Sequence, residues 1–304
     1  GIKNSKTCVF TFFCSRLALS LFPQKYGIMK KILSIVLSMI VFISAQAAEV
    51  DTITVFSKSM NKDIAVSVIR PSEIVDNTEL PTVYLLHGYG DNNLRGYLSL
   101  TDVTDYADEL DLFIVIPDGD TSWYFDSPVD PTYKYETFVT KELVEYIDNS
   151  YPTVTNRNGR AITGLSMGGH GALYLAMRHQ DIFGAAGSMS GGVDFTPFPN
   201  NWDIKKRLGS FDKHPENWKK NTVVAQLDKV KPNTLSIIVD CGTEDFFYQV
   251  NLKLHDEMTK RNIPHEFTTR PGKHNWDYWR RSLRDHILFF NDFFLLSEGS
   301  IPEE

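Results

Sequence analysis

From residue 49 onward the chain alternates between short apolar runs and longer stretches with a helical period. Segments 52–57 and 64–69 exchange apolar and polar side chains at every second position, the mark of half-buried strands, and their closeness predicts an antiparallel pair. Residues 82–86, 112–116, 160–165, 185–190 and 234–240 are instead apolar or small-residue runs, as expected of strands covered on both faces. A last strand is expected over 265–270. Between these lie helix-like stretches over 102–110, 134–149, 169–178, 248–261 and 276–295; in 134–149, Phe138, Leu143, Tyr146 and Ile147 fall near one face. Alternating strands and helices predict an α/β fold, a mostly parallel sheet covered by helices on both faces. Ligands at such sheets bind beyond the carboxyl ends of the strands. The segment 193–232 breaks the alternation. Its Pro197, Pro199, Trp202, His214, Pro215 and Trp218 follow no clean period, so it is expected to be an insertion over the mouth of a site, not a second domain.

The N-terminal residues follow other rules. Residues 1–28 contain no acidic side chain and are read as an upstream extension with no fold role. Met29 then opens a basic Lys30-Lys31 pair, an apolar run over 32–44 and Ala45-Gln46-Ala47, the pattern of a secretory signal peptide with an A-x-A cleavage site. The apolar run is shorter than the roughly 20 residues a membrane-spanning helix needs; a short anchor is the alternative reading. The expectation is a single domain over 48–304 in the periplasm or outside the cell. Removing the six basic residues of 1–47 leaves 25 basic against 38 acidic residues, a net charge of −13. Such a surface argues against nucleic-acid or anionic-membrane partners and suits uncharged substrates. Cys8 and Cys14 leave with that segment, so Cys241, inside an apolar run, is expected to be a buried small hydrophobe.

The chemistry concentrates at the predicted strand ends. Gly164-Leu165-Ser166-Met167-Gly168 has the form G-x-S-x-G, with a strand before it and a helix after it. That context predicts a nucleophile elbow, a tight turn presenting the Ser166 oxygen above the sheet. A serine hydroxyl needs an adjacent base, and in this arrangement an acid and then a histidine follow in chain order. After the strand 234–240 comes Asp240-Cys241-Gly242-Thr243-Glu244-Asp245, and Asp245 is the candidate acid, with Asp240 and Glu244 as rivals. After the strand 265–270 comes Gly272-Lys273-His274, and His274 is the candidate base. His179, His255, His265 and His286 fall within or at the ends of predicted elements and read as packing or surface residues; His214 lies in the insertion. The developing oxyanion needs donors: the backbone N–H of Met167, directly after the serine, and that of Tyr89 in Leu85-Leu86-His87-Gly88-Tyr89-Gly90. His87 is expected to brace this loop. Trp123, following the strand end Pro117-Asp118-Gly119, and Trp276, beside His274, are candidate substrate-binding residues; Trp279 is more simply a helix-packing residue.

These four motifs, in this order, resemble the esterase D / feruloyl esterase group of α/β-hydrolases, which includes tributyrin esterases, S-formylglutathione hydrolases and acetyl xylan esterases. The resemblance runs from about Val50 to Leu296. It implies carboxylester hydrolysis with no metal or organic cofactor, a triad of Ser166, Asp245 and His274, and oxyanion amides at Tyr89 and Met167. Asn275 departs from the aspartate often found after the histidine, and is expected to change local hydrogen bonding alone. With the secretory signal, the resemblance favours feruloyl or acetyl esters of plant polysaccharides over a cytosolic S-formylglutathione hydrolase. An acyltransferase on sugar acceptors and a general short-chain esterase are the alternatives.

Overall fold

Strands β1 (Glu49–Ser57) and β2 (Lys62–Arg70) pair antiparallel along their whole length, from Glu49 opposite Arg70 to Ser57 opposite Lys62, as their alternation predicts. The computed structural model describes residues 47–90 and 96–298; the extension 1–28 and nearly all of the signal sequence 29–47 lie outside the described residues. Six further strands follow: β3 (Thr82–Leu86), β4 (Phe113–Pro117), β5 (Arg160–Gly164), β6 (Ala185–Met189), β7 (Ser236–Gly242) and β8 (Glu266–Arg270). They join the hairpin in one sheet of order β1-β2-β4-β3-β5-β6-β7-β8. β2 runs antiparallel to both neighbours, and every pairing from β4 to β8 is parallel. This is the mixed sheet of an α/β-hydrolase.

The strand order reverses between β3 and β5: from β3 the chain builds outward through β4, then crosses to the other side through β5 and β6. Such a reversal leaves a crevice at the carboxyl edge, where ligands bind. β3 and β5 pair from Thr82–Arg160 to Leu86–Gly164, so their ends finish side by side. The loop after Leu86 and the turn after Gly164 are neighbours for that reason.

Helices cover both faces. One core holds Phe138, Leu143, Leu173 and Met177 against Tyr84 and Ile162; the other holds Val103, Leu283, Ile287 and Phe290 against Val83, Leu85 and Ile114. Each such fully buried side chain contributes about 1.5–3 kcal/mol of transfer free energy. The helical run 135–150 is less regular than its spacing predicts, with a π-helical stretch at Phe138–Leu143. A π turn takes one extra residue, so the buried face moves on by a position. Phe138, Val139, Leu143 and Ile147 are buried, while Tyr146, expected on that face, is exposed. The five-residue helix Gly96–Leu100 has too few positions to show a period and was not legible in the sequence.

Between β6 and β7 the insertion folds into Ile204–Leu208, Pro215–Lys220 and a 3₁₀ turn at Val224–Lys229. Trp218, fully buried, pins it by donating Nε1–H to the Gly209 carbonyl at 2.8 Å. Arg207 ties it to the loop after β4, donating to Asp130 Oδ2 at 3.0 Å and Thr121 Oγ1 at 3.1 Å. Among the described residues no helix is long and apolar enough to cross a membrane.

Candidate active site

The elbow is built at the end of β5. Ser166 adopts φ 57° and ψ −114°, a conformation rarely taken by residues with a side chain, directly before the helix Met167–Arg178. The surroundings hold it there: its N–H donates to the Met189 carbonyl at 2.9 Å, and its carbonyl accepts from the N–H groups of His170 and Gly192, each at 3.1 Å. A Cβ at Gly164 or Gly168 would run into the Leu86 carbonyl oxygen. Both glycines are therefore required by close approach to β3.

Above the elbow three elements converge. Ser166 Oγ donates to His274 Nε2 at 2.9 Å, and His274 Nδ1–H donates to Asp245 Oδ2 at 2.8 Å. These partners fix the imidazole tautomer, with the proton on Nδ1. The Asp245 side chain is fully buried. Its second oxygen, Oδ1, accepts from the Phe247 N–H at 2.8 Å. A buried carboxylate is costly unless hydrogen-bonded, and here both oxygens have donors. Of the two rival acids, Glu244 is exposed and Asp240 lies buried beneath the turn, its Oδ1 accepting from Ser282 Oγ at 2.9 Å. His274 is clamped by aromatic rings: Phe246 at 4.2 Å between centroids and Trp279, edge-on, at 4.8 Å. Asn275 caps the helix behind it, its carbonyl accepting from Tyr278 and Trp279 N–H, each at 3.1 Å.

The two candidate oxyanion donors sit on either side of the serine. Among the described residues neither the N–H of Met167 nor that of Tyr89 has an acceptor. Met167 opens the helix Met167–Arg178, whose N-terminus favours negative charge. The loop of Tyr89 passes close by, since a Cβ on Gly88 would stand 3.5 Å from Ser166 Cβ. His87 braces this loop as expected: Nδ1–H donates to the Gly88 carbonyl at 2.8 Å, and Nε2 accepts from the Gly119 N–H at 2.7 Å. The Tyr89 hydroxyl reaches the insertion, donating to Asp203 Oδ2 at 3.2 Å.

Ser166 and His274 open into a cleft of about 380 Å³, walled by Tyr89, Leu100, Trp202, Phe246, Trp276 and Trp279. Trp276 is where the sequence places it. Trp123 is not. It is 1 % exposed, packed edge-on against Phe195 and His170 and against the underside of Trp202, and offers no face to a ligand. The cause is local: Trp123 and Tyr124 both take positive φ, 57° and 60°, and this turns the indole inward. The residues sequence reasoning missed are Trp202 and Phe246, which stack at 5.7 Å and 22°. Trp202 lies in the aperiodic insertion and Phe246 directly follows the acid, so neither belonged to a legible pattern. The signal available was adjacency alone: in Asp245-Phe246-Phe247 both aromatics follow the acid, and both rings contact the imidazole, at 4.2 and 5.5 Å between centroids.

One buried imidazole beneath the site is not part of this line. His170 contacts the Trp123 carbonyl through Nδ1 at 3.0 Å and the Asn221 carbonyl through Nε2 at 2.8 Å. Burial lowers its pKa to about 4, against the pull of the two carbonyls. Burial likewise pushes the Cys241 thiol well above its ordinary range, and that residue is the buried small hydrophobe expected of it.

Comparison with known proteins gives a consistent picture. The family model Esterase, described as "Putative esterase", matches residues 57–290. An acetyl esterase of Caldicellulosiruptor saccharolyticus is 26% identical over 255 residues, covering 75% of this chain and 93% of the relative. The diacylglycerol acyltransferase/mycolyltransferase Ag85B of Mycobacterium leprae is 28% identical over 240 residues, covering 67% of this chain and 73% of the relative. Among solved structures, a ferulic acid esterase aligns with a TM-score of 0.71 at 29% identity, covering 81% of this chain and 98% of the other.

Proposed function

Because the chain belongs to the Esterase family of α/β-hydrolases and is a serine ester hydrolase, we propose that it is exported and releases feruloyl or acetyl groups from plant-polysaccharide esters through Ser166, His274 and Asp245. The observation that carries the reading is the unbroken hydrogen-bond line from Ser166 Oγ through His274 to the buried Asp245, placed on the floor of an aromatic-walled cleft.

In the proposed reaction His274 Nε2 takes the Ser166 proton as Oγ attacks the ester carbonyl. The tetrahedral oxyanion is held by the N–H groups of Tyr89 and Met167, each worth about 3–4 kcal/mol of transition-state stabilisation. The imidazolium returns its proton to the departing alcohol, leaving an acyl-enzyme. Water then enters, gives its proton to His274, and the acid is released as Ser166 regains its hydrogen. Asp245 holds the tautomer and stabilises the imidazolium throughout. Trp202, Phe246 and Trp276 supply flat apolar faces suited to an aromatic acyl group or a sugar ring.

The test is product release from methyl ferulate, acetylated xylan and short p-nitrophenyl esters, with fluorophosphonate labelling of Ser166 as the direct probe. Release from none of the three would refute the substrate reading, and labelling that survives Ser166→Ala would refute the nucleophile. Export is tested separately: the secreted protein should begin at Ala48. A second reading, that the acyl group passes to an acceptor other than water, for which we take a sugar, is supported by relatives named diacylglycerol acyltransferase/mycolyltransferase. An added sugar acceptor distinguishes it, since a transferase forms the new ester in preference to free acid.

A further inference from the structure

A second cavity, of about 570 Å³, lies at the far end of the helix Met167–Arg178 from Ser166, about 18 Å away by the helical rise. Its walls come from the loop after β4 at Asp126 and Pro128, the run 135–150, the end of that helix and the insertion. The neutral groups facing it are already occupied. Thr137 Oγ1 donates to Asp126 Oδ2 and Thr140 Oγ1 to the Glu136 carbonyl, each at 2.7 Å. The Tyr174 hydroxyl donates to Asn221 Oδ1 at 2.9 Å. The side-chain amides of Asn217, Asn221 and Gln226 all donate to backbone carbonyls.

The charges are distributed differently. Glu136, buried in the wall, is paired where it stands with Arg178, whose Nε donates at 2.7 Å, and also contacts His179 Nε2 at 2.8 Å. Lys229 Nζ uses one donor on Gln226 Oε1 at 2.9 Å, and Arg178 Nη1 reaches the same oxygen at 3.3 Å. Lys141 and Lys220 line the cavity with no side-chain partner among the described residues. Lys141, Lys220 and Lys229 thus bring three cations to one hollow beyond the Arg178–Glu136 pair, against one further carboxylate, Asp126, whose oxygens accept from the Thr137 N–H at 3.0 Å and Oγ1 at 2.7 Å, so the lining is net positive in a chain of net charge −7. We propose that this cavity is a binding site for an oxyanion, a phosphate, a sulfate or the carboxylate of a sugar acid, held by Lys141, Lys220, Lys229 and Arg178. A neutral sugar would find mainly donors that are already committed. An anion finds donors that are free and charged, the stronger kind of hydrogen bond. Burial, and then the neighbouring Arg178, hold the Lys229 ammonium below its ordinary pKa, and an anion among these groups relieves that repulsion.

The experiment is calorimetric titration of the full chain with sodium phosphate, sodium sulfate and sodium glucuronate, at ionic strength held constant with chloride. Saturable binding of at least one below about 10 mM is expected. Lys141→Ala/Lys220→Ala should weaken it about tenfold or more, and Lys141→Arg/Lys220→Arg should restore it. Both lysines are exposed, so these variants fold, and hydrolysis of p-nitrophenyl acetate is expected to be unchanged in them. Glucuronate binding without phosphate binding would assign the site to a sugar acid, and the reverse to an inorganic or esterified phosphate. No saturable binding of any of the three, or equal affinity in the double alanine variant, overturns the proposal. The readout is binding and does not depend on which ester the cleft hydrolyses.

Discussion

Two hydroxyl–imidazole–carboxylate sets are built from the same three parts of this chain. β5 and its turn supply Ser166 and Thr163, β7 and its loop supply Asp245 and Asp240, and the C-terminal segment supplies His274 and His286. In the first, Oγ–Nε2 and Nδ1–carboxylate distances are 2.9 and 2.8 Å. In the second the ring is reversed: Thr163 Oγ1 meets His286 Nδ1 at 2.8 Å, and His286 Nε2 lies 3.3 Å from Asp240 Oδ2 without the alignment of a hydrogen bond. All three members of the second set are essentially inaccessible. Thr163 sits in the regular interior of β5, with no cleft above it and no helix N-terminus beside it. The difference teaches that the right residue types in the right chain order do not by themselves complete a hydrogen-bond line. A nucleophile also requires the strained turn, the opening and the free amides that only the Ser166 set possesses.

The comparison breaks most directly at the hydroxyls and the acids. Ser166→Ala is expected to lower kcat by about 10⁶, measured on p-nitrophenyl acetate; a loss of less than a hundredfold would mean the nucleophile lies elsewhere. Asp245→Asn should keep the geometry but favour the wrong tautomer, lowering kcat by about 10⁴.

A third imidazole sharpens the contrast through pH. The folded pKa of His170, about 4, lies below the ordinary 6.5, so the unfolded chain takes up the proton first. This contribution to stability is therefore full above pH 6.5 and falls as the pH drops from 6.5 towards 4, by about 2–3 kcal/mol at pH 4.5. Urea unfolding at pH 7.5 and 4.5 measures it. His170→Gln should remove that component of the difference, and an unchanged pH slope in the variant would rule His170 out.

Smaller still is the expected effect at the buried set. Thr163→Val leaves kcat unchanged but strands a buried imidazole nitrogen, lowering stability by about 1–3 kcal/mol in the same unfolding measurement. A large loss of kcat with normal stability would show that the second set communicates with the first. The smallest effect belongs to the cleft wall. Trp202→Ala should raise KM for methyl ferulate about fivefold, the equivalent of about 1 kcal/mol of stacking, with less change for p-nitrophenyl acetate. Equal changes for both esters would remove Trp202 from aromatic recognition.

How much of this the sequence disclosed follows from what each feature needs. β3 to β7 are legible because a strand covered on both faces must be apolar or small throughout, and β1 because one covered face forces alternation; β2 alternates in burial only in its first half and is buried on both faces from Val66 to Ile69. Ser166, Asp245 and His274 are legible because the chemistry restricts residue type and the fold restricts order. Tertiary geometry outside any period is not legible. Trp123 is turned inward by a positive φ that nothing in Thr121-Ser122-Trp123-Tyr124 requires. Trp202 reaches the cleft from an aperiodic insertion that Arg207 ties to the loop after β4 and that the Tyr89 hydroxyl holds through Asp203, contacts distant in sequence. His286 reads as an ordinary helical histidine. Its neighbours Tyr278 and Ser282, eight and four residues before it, form a buried stripe that is apparent once Asp240 is known to face them.

The aromatic wall has an optical consequence. The chain holds five tryptophans. Trp123 and Trp218 are sealed in the interior, whereas Trp202, Trp276 and Trp279 line the cleft, with Trp276 and Trp279 edge to face at 5.4 Å. Intrinsic emission is thus divided between a constant background and a set of indoles that any occupant of the cleft must touch. A bound aromatic acid would quench the second set alone, so the enzyme reports its own occupancy without an added dye.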